Sequence, residues 1–254
     1  MIDDINYKKP KSFFESWTFI ILVCVVLPMC FRAVLYSPRH IPSSSMKSTL
    51  LIGDYIFISK FEYGFSRYSF PLGYKYHYFE GRIGGHKPVR GDIIVFRPAG
   101  DPSTDFIKRL IGMPGDRIQM RGGRLYLNGG LIPQRRIEDF IDEGPDGNPV
   151  TIKRYIESLP NGVDHEVLDE VENGPADDTR EFVVPENNYF LMGDNRDNSS
   201  DSRLSVGYVP EENLIGKAEI VFFSNRSKFL RIWDWLLSFR EGRFLLDLTK
   251  NHSE

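Results

Sequence analysis

From Trp17 to Tyr36 the chain reads WTFIILVCVVLPMCFRAVLY, twenty residues whose one charge is Arg32. A helix of that length rises about 30 Å, the thickness of a bilayer core, provided Arg32 extends its guanidinium to the head groups. The run therefore reads as one transmembrane helix. A cleavable signal peptide, or a buried helix kinked at Pro28, are the alternatives, and the lack of an A-x-A-like site after the run weakens the first. Lys8, Lys9 and Lys11 before the run nearly balance Arg32, Arg39 and Lys47 after it, so charge alone does not orient it. No second apolar stretch is long enough to cross, so everything after residue 36 is expected to form one body on one side of the membrane.

That body is large enough to fold on a real core, since 41% of the 254 residues are apolar. Thirty-two basic and 35 acidic side chains give a net charge of -3, which leaves no broad cationic field for nucleic acid. Sixteen prolines, 22 glycines and 13% aromatic residues suit short strands and many turns, so the fold class is mostly β. Strands are expected over 50–62, 90–97, 105–112, 116–127, 188–192 and 214–223. Residues 62–88 carry eight tyrosines and phenylalanines around Pro71-Leu72-Gly73 and predict an aromatic hairpin, packed on the body or set at the lipid interface. Fourteen of the 35 acidic residues lie between Glu138 and Glu181 amid GPDGNP and NGPADD, which predicts a solvated insertion. Arg231, Asp234, Ser238 and Glu241 share one helical face opposite Trp233, Leu236 and Leu237, so the tail reads as an amphipathic helix on the domain or on the membrane. The expected organisation is an N-terminal segment 1–16, the helix 17–36, a first core part 37–116, an inserted, less regular subdomain 117–181, a second core part 182–226 and the tail 227–254.

Both cysteines, Cys24 and Cys30, sit in the apolar run, so the rest of the chain has neither disulfides nor cysteine-based zinc sites. The five histidines are scattered, and His165-Glu166-x-x-Asp169 lacks the second histidine of a zinc-protease pattern; a solvated acidic face accounts for it better. Three polar features remain. Ser43-Ser44-Ser45 follows Pro42 a few residues beyond the apolar run, as a nucleophile near the bilayer would, or as a plain polar linker would. In Asp105-Phe106-Ile107-Lys108-Arg109-Leu110, strand alternation sets Lys108 on one face with Phe106 and Leu110. Desolvation there favours a neutral amine that can act as a general base, although a lysine reaching out of a half-buried strand fits the same pattern. Residues Gly193 to Arg203, GDNRDNSSDSR, form a loop dense in donors and acceptors, readable also as a turn cluster with internal bonds.

Together, Pro42-Ser43-Ser44-Ser45-Met46 with Thr49-Leu50, Gly91 to Phe96, Phe106-Ile107-Lys108-Arg109 with Pro114-Gly115-Asp116, and Gly193 to Arg203 resemble, in that order, the motifs of the bacterial type I signal peptidases. These are membrane-anchored serine proteases with a Ser-Lys dyad. The resemblance implies a signal-peptidase-like β core, Ser45 as nucleophile and Lys108 as general base. It implies an oxyanion hole from the Ser43 side chain and the Ser45 N–H, and a Ser199 hydroxyl that orients the lysine. Asp201 and Arg203 then form a supporting ion pair, with Asp194 in the same network. Ile41, Met46, Leu50, Val95, Phe106 and Ile107 would line pockets for small side chains of a signal peptide. The chain departs from the family at Ser44, usually glycine, and at Ser48, usually proline; neither change removes a catalytic group. No metal or organic cofactor is implied. The implied partners are signal peptides of exported preproteins and the lipid bilayer, and the implied location is the bacterial cytoplasmic membrane with the catalytic domain on its outer, periplasmic face. Two rival readings are an S-x-x-K acyl-transfer enzyme at Ser44-x-x-Lys47, which lacks a K-T-G, and an inactive membrane-tethered module that binds extended peptides.

Overall fold

The computed structural model describes residues 17–70, 73, 75–76, 78–144, 146–225 and 238–250. The N-terminal lysines and most of the expected tail helix lie outside the described residues. Helix α1 runs over Trp17–Val34, two residues short of the expected Tyr36. Tyr36 instead opens the first strand, where it pairs with Ser59. Ile21, Leu22, Val25 and Leu27 on α1 are exposed. Among the described residues no helix is long and apolar enough to cross a membrane.

Beyond α1 the protein is mostly β. The strands of the first half are β1 (Tyr36–His40), β2 (Asp54–Ser59), β3 (Phe65–Ser66), β4 (Arg82–Ile83), β5 (Ile93–Phe96), β6 (Phe106–Gly112), β7 (Arg117–Arg121), β8 (Arg124–Leu127) and β9 (Gly130–Leu131). Those of the second are β10 (Gln134–Arg136), β11 (Phe140–Glu143), β12 (Pro149–Ser158), β13 (Asp164–Asp169), β14 (Phe182–Val183), β15 (Asn188–Met192), β16 (Val209–Pro210), β17 (Leu214–Ser224) and β18 (Leu246–Asp247). The main sheet has the order β1-β2-β17-β5-β6-β15-β16, with β18 also on β17. Its central strands are buried on both faces, which is why IIVF and FIKRLIG read as near-continuous apolar runs. Ile93, Val95 and Ile107 pack with Ile41, Met46, Leu50, Ile56 and Ile58 on one face. Ile94, Phe96 and Leu110 pack with Tyr189, Leu191 and Val209 on the other.

Three expectations change. Among the described residues of the aromatic segment 62–88, strand pairing is limited to the short ribbon of β3 with β4, and a 3-10 turn over Arg67–Ser69 follows β3. The insertion is not a loosely ordered, solvated appendage. Strands β10, β11 and β13 all pair with β12, and β14-β7-β8-β9 forms a second four-stranded sheet. Ile118, Met120, Leu125 and Leu127 there share a core with Phe190 and Met192 of the main sheet. The acidic residues masked the alternation of apolar positions such as Ile152, Ile156 and Val167, which are buried. At the tail, the described residues 238–250 are not helical and lie against the sheet. Phe239 forms a bridge to Asn225, and Arg243 pairs with buried Asp54 at 2.5 Å.

Ile58 is fully buried in β2, whereas Ile141 in β11 is 71% exposed. Ile58→Ala is expected to lower unfolding free energy by about 2–5 kcal/mol, and Ile141→Ala by no more than about 0.5 kcal/mol, in urea titrations of the detergent-solubilised protein.

Candidate active site

The loop between β1 and β2 is closed at its base by paired main-chain bonds, Ile41 N–H to the Asp54 carbonyl at 2.8 Å and Gly53 N–H to the Ile41 carbonyl at 3.0 Å. Two tight turns follow, with the Lys47 N–H on the Ser44 carbonyl and the Leu50 N–H on the Met46 carbonyl. Met46 and Leu50 plug into the core beneath and hold the loop down. Ser45, the residue before Met46, is 7% exposed.

Lys108 reaches this serine from β6, where its cross-strand partner is Ile94. Its Nζ donates to Ser45 Oγ at 2.6 Å and to the Ile107 carbonyl at 2.8 Å, and the residue is 4% exposed. The Phe106 ring centroid lies 5.7 Å from Nζ. Burial lowers the lysine to about 8, against the opposing pull of Asp201 and Asp194. Ser43 Oγ is 3.4 Å from Ser45 Oγ. A hydroxyl, a lysine poised to lose its proton and a second hydroxyl thus converge on one point.

The loop 193–203 closes the other side. Gly193 has no room for a side chain, since a Cβ there would overlap Ser199 Oγ and the Ser45 carbonyl oxygen. Asp201 accepts from the Gly193 N–H at 3.0 Å and pairs with Arg203 at 2.8 Å, with both side chains wholly buried. Burial would raise the Asp201 carboxyl, but Arg203 outweighs it and holds the group below its ordinary range. Asp194 accepts from Arg109 Nε at 2.8 Å, Arg109 Nη2 at 2.6 Å and Thr49 Oγ1 at 2.6 Å. Burial opposes ionisation of Asp194 too, and Arg109 reverses it. Ser199 Oγ is buried without a hydrogen-bond partner. The bond expected from Ser199 to Lys108 is therefore not made, and Lys108 Nζ bonds Ser45 Oγ and the Ile107 carbonyl instead.

A cavity of about 350 Å³ opens beside Ser45 and Lys108. Ile41, Val95, Phe106 and Ile107 line it as expected, but Met46 and Leu50 do not; both are fully buried in the core below. Ile56, which the strand alternation of DYIFIS aligns with Ile58, lines the cavity and was not singled out from the sequence. Asn198 and Ser200 supply polar edges. Arg109 and Thr49 are the other residues that sequence reasoning left without a role, although both stand inside the recognised motifs.

The family described as "Signal peptidase, peptidase S26" matches residues 14–223, a span that holds every residue of this site. The chain belongs to the signal peptidase family, peptidase S26. Signal peptidase I of Rickettsia typhi is 38% identical over 258 residues, covering 95% of each chain. Signal peptidase I of Rickettsia prowazekii is 37% identical and covers 97% of each. A crystal structure of a signal peptidase I from Enterococcus faecalis is 30% identical, covering 52% of this chain and 97% of that one, at a TM-score of 0.31. The chain is accordingly a serine peptidase of the signal peptidase I type.

The lysine in this peptidase site is held at a cost. With its value moved from an ordinary 10.5 to about 8, keeping Lys108 charged in the fold opposes stability by about 3 kcal/mol. The folded value is the lower one, so this cost is full below pH 8 and fades as pH rises towards 10.5. Lys108→Met is expected to raise the melting temperature at pH 6 to 7 while abolishing activity. The gain should vanish near pH 11 in melts followed by circular dichroism.

Proposed function

We propose that this chain is a membrane-anchored endopeptidase that removes N-terminal signal peptides from exported preproteins, with Ser45 as nucleophile and Lys108 as general base. The 2.6 Å contact between Lys108 Nζ and Ser45 Oγ, buried at the end of an apolar cavity, is the observation that carries this reading. Neutral Lys108 accepts the Ser45 proton as Oγ attacks the scissile carbonyl carbon. The carbonyl π electrons move to oxygen, and the resulting oxyanion is met by the Ser45 N–H and the Ser43 hydroxyl. The tetrahedral centre collapses, the C–N bond breaks, and the Lys108 ammonium returns the proton to the leaving amine. Water, deprotonated by Lys108 in its turn, then hydrolyses the acyl-serine and releases the signal peptide. The narrow apolar walls of Ile41, Val95, Phe106 and Ile107 favour small side chains before the scissile bond.

The exposed apolar side chains of α1 support the anchor. Helix α1 has 18 residues, and only Leu35 separates it from β1. Ser45 therefore lies within a short loop of the bilayer surface, where a signal peptide held in lipid presents its cleavage site. This arrangement supports a location in the bacterial cytoplasmic membrane with the β domain on the outer face.

Cleavage of a purified preprotein in detergent, with intact mass to locate the cut, tests the reading. The wild type is expected to cut after a small-x-small site. Ser45→Ala and Lys108→Ala should each lose at least about 10³-fold in kcat, and Ser44→Ala should retain activity. With Lys108 near 8, kcat should rise with pH along an acid limb centred near that value. A rate flat from pH 6 to 10 with chemistry limiting would refute the lysine base.

A further inference from the structure

The inserted hairpin of β12 and β13 reaches the back of the catalytic loop. Glu157, at the end of β12, is 1% exposed and forms a two-pronged ion pair with Arg196, itself 5% exposed. Burial disfavours the Glu157 carboxylate, and Arg196 more than compensates, so the carboxyl is held far below its ordinary range. His165, its cross-strand neighbour, is pushed by burial and by Arg109 towards the neutral form, which leaves Arg196 as the counter-charge. Strand β13 then continues the contact through its main chain. The Leu168 N–H donates to the Asp194 carbonyl at 2.9 Å, and the Arg196 N–H donates to the Leu168 carbonyl at 3.0 Å. These two bonds bracket Asn195 as an isolated parallel bridge. The Asn195 side chain is tied to the same insertion, donating from Nδ2 to Glu170 Oε1 at 2.6 Å. Its main-chain N–H points the other way and donates to the Ser45 carbonyl oxygen at 3.1 Å.

We infer that the insertion is a positioning element for the nucleophile: Glu157 and Leu168 fix residues 194–196 so that the Asn195 N–H holds the Ser45 peptide in register. The Ser45 carbonyl and side chain share one Cα, so constraining that carbonyl constrains both Oγ and the N–H that faces the developing oxyanion. Glu157 and Glu170 touch neither substrate nor reacting atoms and act through the loop. A misplacement of the nucleophile weakens the transition state more than substrate binding, so the signature is a loss in kcat with KM preserved.

This inference rests on the peptidase reading above, and the experiment separates the two. Full-length protein in detergent is assayed on a purified preprotein, with Ser45→Ala as the blank and Glu181→Ala, on an exposed ion pair of the insertion's edge, as the control. Glu157→Gln is expected to lower kcat about tenfold, and Glu170→Ala, at an exposed position that leaves the core intact, about threefold, each with KM within about twofold of wild type. Glu181→Ala should match the wild type. Amide hydrogen exchange of the same variants should show faster exchange at 194–196, with strands β5 and β6 unchanged. Wild-type kcat in both variants with protected 194–196 amides overturns the inference. So does a loss in Glu157→Gln that matches the unfolded fraction in its melt while Glu170→Ala stays at wild-type kcat. If wild type and Ser45→Ala are equally inert, the peptidase reading fails, and the exchange data still decide whether the insertion holds the loop.

Discussion

One buried guanidinium organises the site. Arg109 lies next to Lys108 in β6 and projects to the other face, where it joins three stretches of chain far apart in sequence. It pairs with Asp194, donates to the Gly91 carbonyl at 2.8 Å and shares Asp194 with the Thr49 hydroxyl. The Ser45 loop, β6 and the loop 193–203 meet at that pair. Removing one partner would strand a buried charge at a cost of about 3–5 kcal/mol, so the three segments are held as one unit. Lys108 can be kept apolar and short of charge because its neighbour carries the ionic bonding that fixes the strand.

This division of labour between adjacent residues of one strand shapes the electrostatics around it. Charged groups are placed behind the loops, in Arg109 with Asp194, Arg203 with Asp201 and Arg196 with Glu157, where each is matched and desolvated. The cavity around Lys108 is lined by aliphatic and aromatic side chains together with Ser43, Ser44, Ser45, Asn198 and Ser200, and the charges that also line it, Arg39 and Asp105, are paired with each other at 3.0 Å. An amine surrounded by apolar groups gives up its proton near neutral pH, whereas the same amine beside an unmatched carboxylate would keep it. The nearby acids, Asp194 and Asp201, are each held by an arginine.

Much of the centre was legible because its signals are local. The apolar runs IIVF and FIKRLIG predict buried strands, and Lys108 within the second stands out as a charge where none belongs. Serines following Pro42 and the dense polar loop after NYFLM carry the same kind of anomaly. Beyond the strand expected over 116–127 the insertion was not legible, because its apolar positions are spaced among acids, and Ile118, Met120 and Leu125 share their core with residues as distant as Phe190, some seventy positions on. Likewise, no local pattern reveals that Met46 and Leu50 point into the core rather than the cavity, or that Glu157 and Arg196 meet. Where the tail is described, Arg243 finds a buried partner in Asp54, and β17 offers a strand edge that the sequence does not display.

The position of β17 has a temporal consequence. It lies between β2 and β5, so within the sheet the strands that flank the Ser45 loop and the strand that carries Lys108 are joined through it. Without residues 214–224, β1-β2 and β5-β6 lose the strand between them, and the two hairpins are tied by loop contacts such as those of Arg109 with Thr49 and Asp194 rather than by a continuous sheet. The proposed pairing of Ser45 with Lys108 thus leans on one of the last strands in sequence, so a chain that ends before residue 214 holds both side chains without the continuous sheet that joins their strands.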